Sequence, residues 1–398
     1  MAVVHPIPLA WLSTGGTGAQ NYDEFADETE ITAIIEANPR SALAVEMPHR
    51  APESLGGGFS AALPAAVRRL AEAKQAGAYQ LAEQVVVLYR ISGPADQTSY
   101  GLFGMVDTDQ ISSRVDEPGL VIRNEDVFEE KVRERVALAQ TTGHLLSAVL
   151  LLASTGGAEL STALRQACQQ AGPPTVTDID QAGRRHEIWP LPDGETARRL
   201  CALAGQGELV VADGNHRTLA AQVGQLPRFL AVVTTPESVQ IAPYNRLVTE
   251  LPFPTGQLIS RMTEAGAVVT PLPGPADPPG GAVVHVYADG RWYAVRLPVD
   301  PAAGEVDNLD HALVERVLVR RAFELEPGDK RVTYVGGDYP ASWLCGEVDA
   351  GRAQAAVIIA PVTVADFVAV NLARHKMPRK STWFTPKVRA GLVLAELG

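Results

Sequence analysis

The sequence predicts an α/β (α+β) protein built on a mixed sheet. Apolar runs of strand length alternate with segments of helical period, joined by short loops. The hydrophobic share is 46% over 398 residues, ample for a sizeable core. Glycine (35) and proline (29) are plentiful but follow no repeat, so the chain reads as globular and neither fibrous nor low in complexity.

The elements follow in order. A Gly-rich loop (Gly15, Gly16, Gly18) leads to Asn21-Tyr22-Asp23. Residues 29–37 form a short helix stopped by Asn38-Pro39, and 61–76 a longer one ended by Gly77. The period then changes: 84–91 is rich in Val and Leu and reads as a buried strand, with 100–106 as its hairpin partner. A short strand at 120–122 runs into polar residues, and Phe128, Val132 and Val136 then recur as a helical face. Further on lie a strand (148–152), a helix (196–203), a strand (209–212), a helix closed by Gly224 (216–223) and a strand (229–233). Residues 154–195 carry no assignment. From 251 the pattern shifts to a helix (257–264) and two strands (283–287 and 292–297) joined by the hairpin signal Asp289-Gly290. An amphipathic helix (309–323), a strand (356–360), a helix (364–372) and a polar cluster (375–387) complete the chain. These shifts divide it into 1–250 and 251–398, with the basic loop 375–387 returning to the site of the first region.

The net charge is −12, whereas a generic nucleic-acid binder carries a basic excess, so a nucleic-acid partner is not expected. Cys168, Cys201 and Cys345 are far apart and odd in number, which argues against a disulfide framework or a structural zinc. No signal-peptide pattern opens the chain and no apolar run is long enough to span a bilayer, so the expectation is a cytoplasmic protein without a membrane partner. A homodimer is compatible with the sequence. There is no Walker motif, no Gly-x-Ser-x-Gly elbow and no kinase His-Arg-Asp or Asp-Phe-Gly.

Three polar runs can carry chemistry. The first is Asp213-Gly214-Asn215-His216-Arg217, at a strand-to-helix turn. N–H groups at a helix start attract anions, and Gly214 allows close backbone approach. Arg217 can fork onto phosphate or carboxylate oxygens, and Asp213 can bind Mg²⁺ or accept a proton. His216 can shuttle a proton near neutral pH. The alternative is that Asp213 or Asn215 merely caps the helix and His216 packs beneath it. The second run is Arg123-Asn124-Glu125-Asp126 at another such junction. Asn124 or Asp126 caps the helix there, or Glu125 is a general base beside the anion site. The third is 377–387, preceded by Arg374 and His375, whose basic and hydroxyl side chains make either a phosphate pocket or a solvated basic face. Pro243-Tyr244-Asn245-Arg246 is a smaller echo, with Arg246 as a second clamp.

These runs resemble a known family, the bacterial and archaeal set called domain of unknown function family 1015. Its Ala-Asp-Gly-His-His-Arg motif matches 212–217, and its near-C-terminal Met-Pro-x-Lys-Ser-Thr-x-Phe-x-Pro-Lys matches 377–387. A Pro-x-His-Arg run corresponds to 243–246, a His-Glu-x-Thr run to 123–126, and a Pro-Tyr-Asp run to 21–23. The order is kept along nearly the whole chain.

The resemblance implies a mixed-sheet ParB/sulfiredoxin-like core with added N- and C-terminal α/β segments, in which a Gly-x-x-Arg turn binds nucleotide phosphates. It implies a phosphotransferase similar to free serine kinases, moving phosphate from ATP or ADP, with Mg²⁺, to free serine or a related hydroxy-amino acid. Carried over, Glu125 is the base, Asp213 holds the metal or orients serine, and His216 and Arg217 hold phosphate beside Gly214 and Asn215. Arg246, Lys380, Ser381, Thr382 and Lys387 complete the phosphate side. This chain departs from the family at Asn124, Asn215 and Asn245, each standing where relatives keep histidine. Those losses favour the alternative of a non-catalytic nucleotide or metabolite sensor.

Overall fold

The computed structural model describes residues 3–25, 28–93, 98–112, 114, 116–125, 127–326 and 328–398. They form two compact units: 1–240 with 371–375 and 386–398, and 241–370 with 376–385. Among the described residues no helix is long and apolar enough to cross a membrane.

The first unit is a mixed sheet with helices on it. In chain order its main elements are β1 (Ile7–Ser13), α1 (Glu28–Ala37), α2 (Phe59–Gln75), β2 (Tyr79–Ser92), β3 (Thr98–Asp107) and β4 (Val121–Ile122). Then come α3 (Glu129–Thr142), β5 (Val149–Ala153), α4 (Gly157–Gln170), β6 (Arg185–Pro192), α5 (Glu195–Ala204), β7 (Leu209–Asp213), α6 (Asn215–Val223) and β8 (Arg228–Thr234). The strands lie side by side as β4-β7-β5-β8-β3-β2-β1. β7 runs parallel to β4 and antiparallel to β5, and β8 runs parallel to β5 and antiparallel to β3. The expected hairpin is β2 with β3, registered Val87 on Phe103.

Alternation along these strands builds the core. Val86, Leu88, Leu102, Val149, Leu151, Leu209, Val211 and Phe229 meet Leu160 and Leu164 of α4 and Leu200 of α5. Three elements lie in the stretch without assignment: α4, a short strand (Val176–Ile179) and β6. In α4 the buried Leu160, Ala163, Leu164, Ala167 and Cys168 repeat at helical spacing. In β6, Pro190 and Pro192 argue against a strand from sequence alone. They are tolerated because strand Val176–Ile179 pairs only with Arg185 to Ile188, leaving one edge open at the prolines.

The second unit is an antiparallel sheet. Its elements are β9 (Tyr244–Val248), α7 (Leu258–Glu264), β10 (Val268–Leu272), β11 (Val283–Ala288), β12 (Arg291–Arg296), α8 (Asp310–Leu313), β13 (Val332–Gly336), α9 (Ala341–Asp349) and β14 (Ala355–Ile358). The strand order is β10-β12-β11-β14-β9-β13. Asp289 and Gly290, both at positive φ, turn the β11–β12 hairpin as expected. α8 continues as a π-helix, Val314–Ala322, so the expected amphipathic helix is helical throughout but wider in its second part. One face of the sheet packs Val284, Val286 and Val357 on Leu313, Val317 and Leu318; the other packs Leu247 and Tyr287 with Leu344 of α9.

Beyond α10 (Val364–Leu372), the polar segment holds one short strand, Trp383–Thr385. The chain then returns to the first unit and ends on β15 (Val393–Glu396), which pairs with β1 on one side and with His144–Leu145 on the other.

Candidate active site

In the first unit, β7 slips register between Val211 and Asp213, so the strand bulges as it reaches the turn. Such a bulge re-aims the next side chain. Gly214 follows at φ +99, a left-handed conformation that favours glycine, and α6 starts at Asn215. Gly214 occupies the N-cap position without a side-chain cap bond, so neither Asp213 nor Asn215 is the helix cap. The first N–H groups of a helix have no partner within it, and a helix start of this kind favours an anion.

The side chains of the run go elsewhere. Asp213 sits between two cations: Arg217 Nη2 donates to its Oδ2 at 2.6 Å, and Lys387 Nζ to its Oδ1 at 3.1 Å. The three side chains are only 16%, 10% and 11% exposed, so water screens these pairs weakly. Arg217 Nη1 donates to Asn21 Oδ1 (3.0 Å) and to the Ala148 carbonyl (2.9 Å). Arg217 therefore ties the turn to two other segments, a different task from the expected fork onto a ligand. His216 is buried, stacks on Phe128, and accepts the Phe128 backbone N–H at Nε2 (3.2 Å). Asn215 Nδ2 donates to Asn124 Oδ1 (2.7 Å), and the Asn124 backbone N–H returns a bond to Asn215 Oδ1 (3.3 Å).

The second junction differs from the sequence expectation. α3 starts at Glu129 with Phe128 as its N-cap residue, so Asn124 is no cap and Glu125 precedes the first turn. Asn124 Nδ2 donates to the Val211 carbonyl instead (2.8 Å). Glu125 is half-buried in the bend between, and Asp126 lies outside the described residues.

Lys387 comes from the C-terminal segment, which a further set of polar side chains holds in place. The Arg389 backbone N–H donates to Tyr89 Oη (3.3 Å) and its Nε to Asp178 (2.7 Å). Tyr89 Oη meets His186 Nδ1 at 2.5 Å, and His186 Nε2 meets Asp180 at 3.1 Å. Burial lowers the His186 pKa and raises that of Tyr89. Sequence reasoning missed Tyr89, His186 and Asp178 because they are scattered singly along the chain. Asn21 gave a signal, since it belongs to the Asn21-Tyr22-Asp23 run.

A metal at Asp213 fits this arrangement poorly. Mg²⁺ takes hard oxygen ligands, usually one or two carboxylates completed by water and phosphate. Both oxygens of Asp213 are engaged by cations, and among the described residues no group of three His, Cys, Asp or Glu could hold an ion.

The remaining expected site residues belong to the second unit. Arg246 is fully buried. Its Nε donates to Glu315 (2.8 Å) and its Nη1 to the carbonyls of Tyr244 (2.9 Å), Asn245 (3.3 Å) and Lys380 (3.1 Å), while its plane lies over Tyr334. Lys380 has φ +52 and carries its Nζ over the Tyr244 ring at 5.5 Å. Ser381 is buried with no partner for its hydroxyl, and Thr382 is half-buried. Asn245 accepts the Ile359 backbone N–H (3.0 Å), so it fixes the end of β14. Arg374, in the first unit, bonds Ser112, Gly119 and Glu208.

Fold and site together define a two-unit mixed α/β protein with an anion-receptive strand-to-helix turn beside a carboxylate-bearing bend. The chain belongs to the family described as "Protein of unknown function (DUF1015)", whose model matches residues 17–312. No protein of curated function matches the sequence. Among solved structures it is similar to a free serine kinase in complex with AMP, at 12% identity and a TM-score of 0.42, over 71% of this chain and 87% of that one. It is also similar to a conserved hypothetical protein from Pyrococcus furiosus, at 13% identity and a TM-score of 0.40, over 73% and 95%. A C-terminally truncated SbnI from Staphylococcus aureus is similar at 12% identity and a TM-score of 0.40, over 73% and 87%.

Proposed function

We propose that this protein is a cytoplasmic small-molecule phosphotransferase, moving the terminal phosphate of ATP or ADP to the hydroxyl of free serine or a related hydroxy-amino acid. One observation carries the reading: an anion-receptive helix start, with Lys387 at its Asp213, is hydrogen-bonded to the bend that bears Glu125. In the reaction, Glu125 takes the proton of the acceptor hydroxyl as its oxygen attacks the terminal phosphorus. The bond from that phosphorus to the bridging oxygen breaks, and the shortened nucleotide leaves with the oxygen and its electrons. The N–H groups of α6 and the Lys387 ammonium offset the charge on the phosphoryl oxygens. No step is routed through a metal. The assay is nucleotide consumption against a panel of hydroxy-amino acids. Glu125→Gln is expected to lower turnover by about 10²–10⁴-fold while nucleotide binding persists. Full activity in that variant, or inactivity with every acceptor, ends this reading.

A non-catalytic nucleotide sensor is the second reading. It is favoured by the commitment of His216 and Arg217 to neighbouring residues. Calorimetry separates the two: nucleotide binding without turnover supports the sensor, and absence of nucleotide binding defeats both.

A further inference from the structure

The bend at Glu125 and the turn at Asp213 lie about ninety positions apart, and one reciprocal contact joins them: Asn124 and Asn215, with a sequence separation of 91. Both residues are buried, at 1% and 5% exposure. The Asn215 amide donates to the Asn124 side chain and accepts from the Asn124 backbone. The Asn124 amide uses its other end on the Val211 carbonyl, where β7 bulges toward Asp213. The residue before is fixed as well, because the Arg123 backbone N–H donates to the Ser112 carbonyl (2.9 Å). Three residues beyond Glu125, Phe128 N–H is held by His216. The segment carrying Glu125 is thus attached to the first turn of α6 at both ends.

We infer that Asn124 and Asn215 are positioning residues, which hold Glu125 in register with the N–H groups at the start of α6. The inference rests on the reading of Glu125 as the base. Two amides suit the task because each supplies a donor and an acceptor in a plane, and neither titrates. Such a link keeps its strength across the pH range over which a carboxylate base changes state. A pair of imidazoles in the same places would change it.

The test is a double-mutant cycle of Asn124→Ala, Asn215→Ala and the pair, read by turnover, nucleotide affinity and amide hydrogen exchange. Each single change is expected to lower kcat by about 10- to 100-fold, the effect of stranding one buried amide, with nucleotide affinity nearly unchanged. The double variant should lose less than the two singles combined, because both remove the bond from the Asn215 amide to the Asn124 side chain, although Asn124→Ala keeps its own backbone bond to Asn215 and also gives up the Val211 carbonyl. Exchange should rise reciprocally: Asn215→Ala loosens residues 123–128, and Asn124→Ala loosens residues 213–217. Additive losses in kcat, or exchange that rises only in the mutated segment, overturn the proposal. If wild-type turnover is absent, the phosphotransferase reading fails separately, and reciprocal exchange alone decides the pairing. Should an alanine variant not fold, Asn→Ser at the same position carries the same expectations.

Discussion

Arg217 and Arg246 are each drawn onto a carboxylate and onto the backbone, Arg217 at one carbonyl and Arg246 at three, yet the two regions put that arrangement to different ends. Arg217 shares Asp213 with Lys387 and braces Asn21 and Ala148, at the turn from β7 into α6. Arg246 is wholly enclosed, with Glu315 and three carbonyls around it and Tyr334 beneath. An arginine in a motif does not declare its role by its identity. The role follows from its partners: Arg217 links segments around a turn, and Arg246 is buried among the groups it bonds.

The strongest way to break this contrast is Arg246→Met. If Arg246 is architectural, its loss strands the Glu315 carboxylate and removes the donor to three carbonyls. Urea denaturation should then show a loss of about 3–5 kcal/mol. Arg246→Met combined with Glu315→Leu should cost less than Arg246→Met alone, since no unpaired charge remains. A loss below about 1 kcal/mol would make Arg246 an ordinary surface-type cation.

The pH dependence of the second unit sharpens the same point. His311 is fully buried. Burial first, and then the Arg246 charge, push its pKa down to about 3, against a smaller pull from the Tyr244 carbonyl. The unfolded ring titrates near 6.5 and so binds protons that the folded ring refuses. Stability is therefore full above about pH 6.5 and falls as pH drops toward 3, by about 1.4 kcal/mol per pH unit for this group. His311→Leu should flatten that slope in denaturation series run between pH 7 and 4. An unchanged slope would deny the burial any energetic consequence.

The smallest expected effect belongs to the turn. Gly214→Ala places a Cβ 2.9 Å from Arg217 Nε in a left-handed conformation. A loss of about 1–2 kcal/mol in thermal or urea unfolding is expected, with weaker nucleotide binding by calorimetry. Unaltered nucleotide binding would separate the turn from any ligand.

Much of this was legible in the sequence where chemistry and period coincide. The apolar run into Asp213-Gly214 marks a strand, a turn and a helix start, and all three occur. The Val- and Leu-rich stretch of β2 likewise marks a buried strand. α4 has no counterpart in the sequence reading, although its buried positions have a plain helical spacing. β6 was hidden by prolines whose tolerance depends on how far a neighbouring strand reaches. The partners within the site were hidden for a simpler reason. A lone sequence shows Asn124 and Asn215 as two departures from a histidine pattern. Their mutual bond shows that these two departures form a single contact. Asn245 is a separate case, bonded to the backbone of Ile359.

The position of β15 bears on how the protein is made. The strand slots between β1, which precedes it by nearly the whole first unit, and His144–Leu145, and it follows Lys387 by a few positions. As the ribosome delivers the chain, the first unit must wait with that place in its sheet open while residues 241–370 emerge. Closure of the sheet and arrival of the Lys387 ammonium at Asp213 are thus late events of the same stretch of translation. A nascent chain interrupted before this point lacks both the edge strand and the cation, so unfinished copies are born without the completed turn.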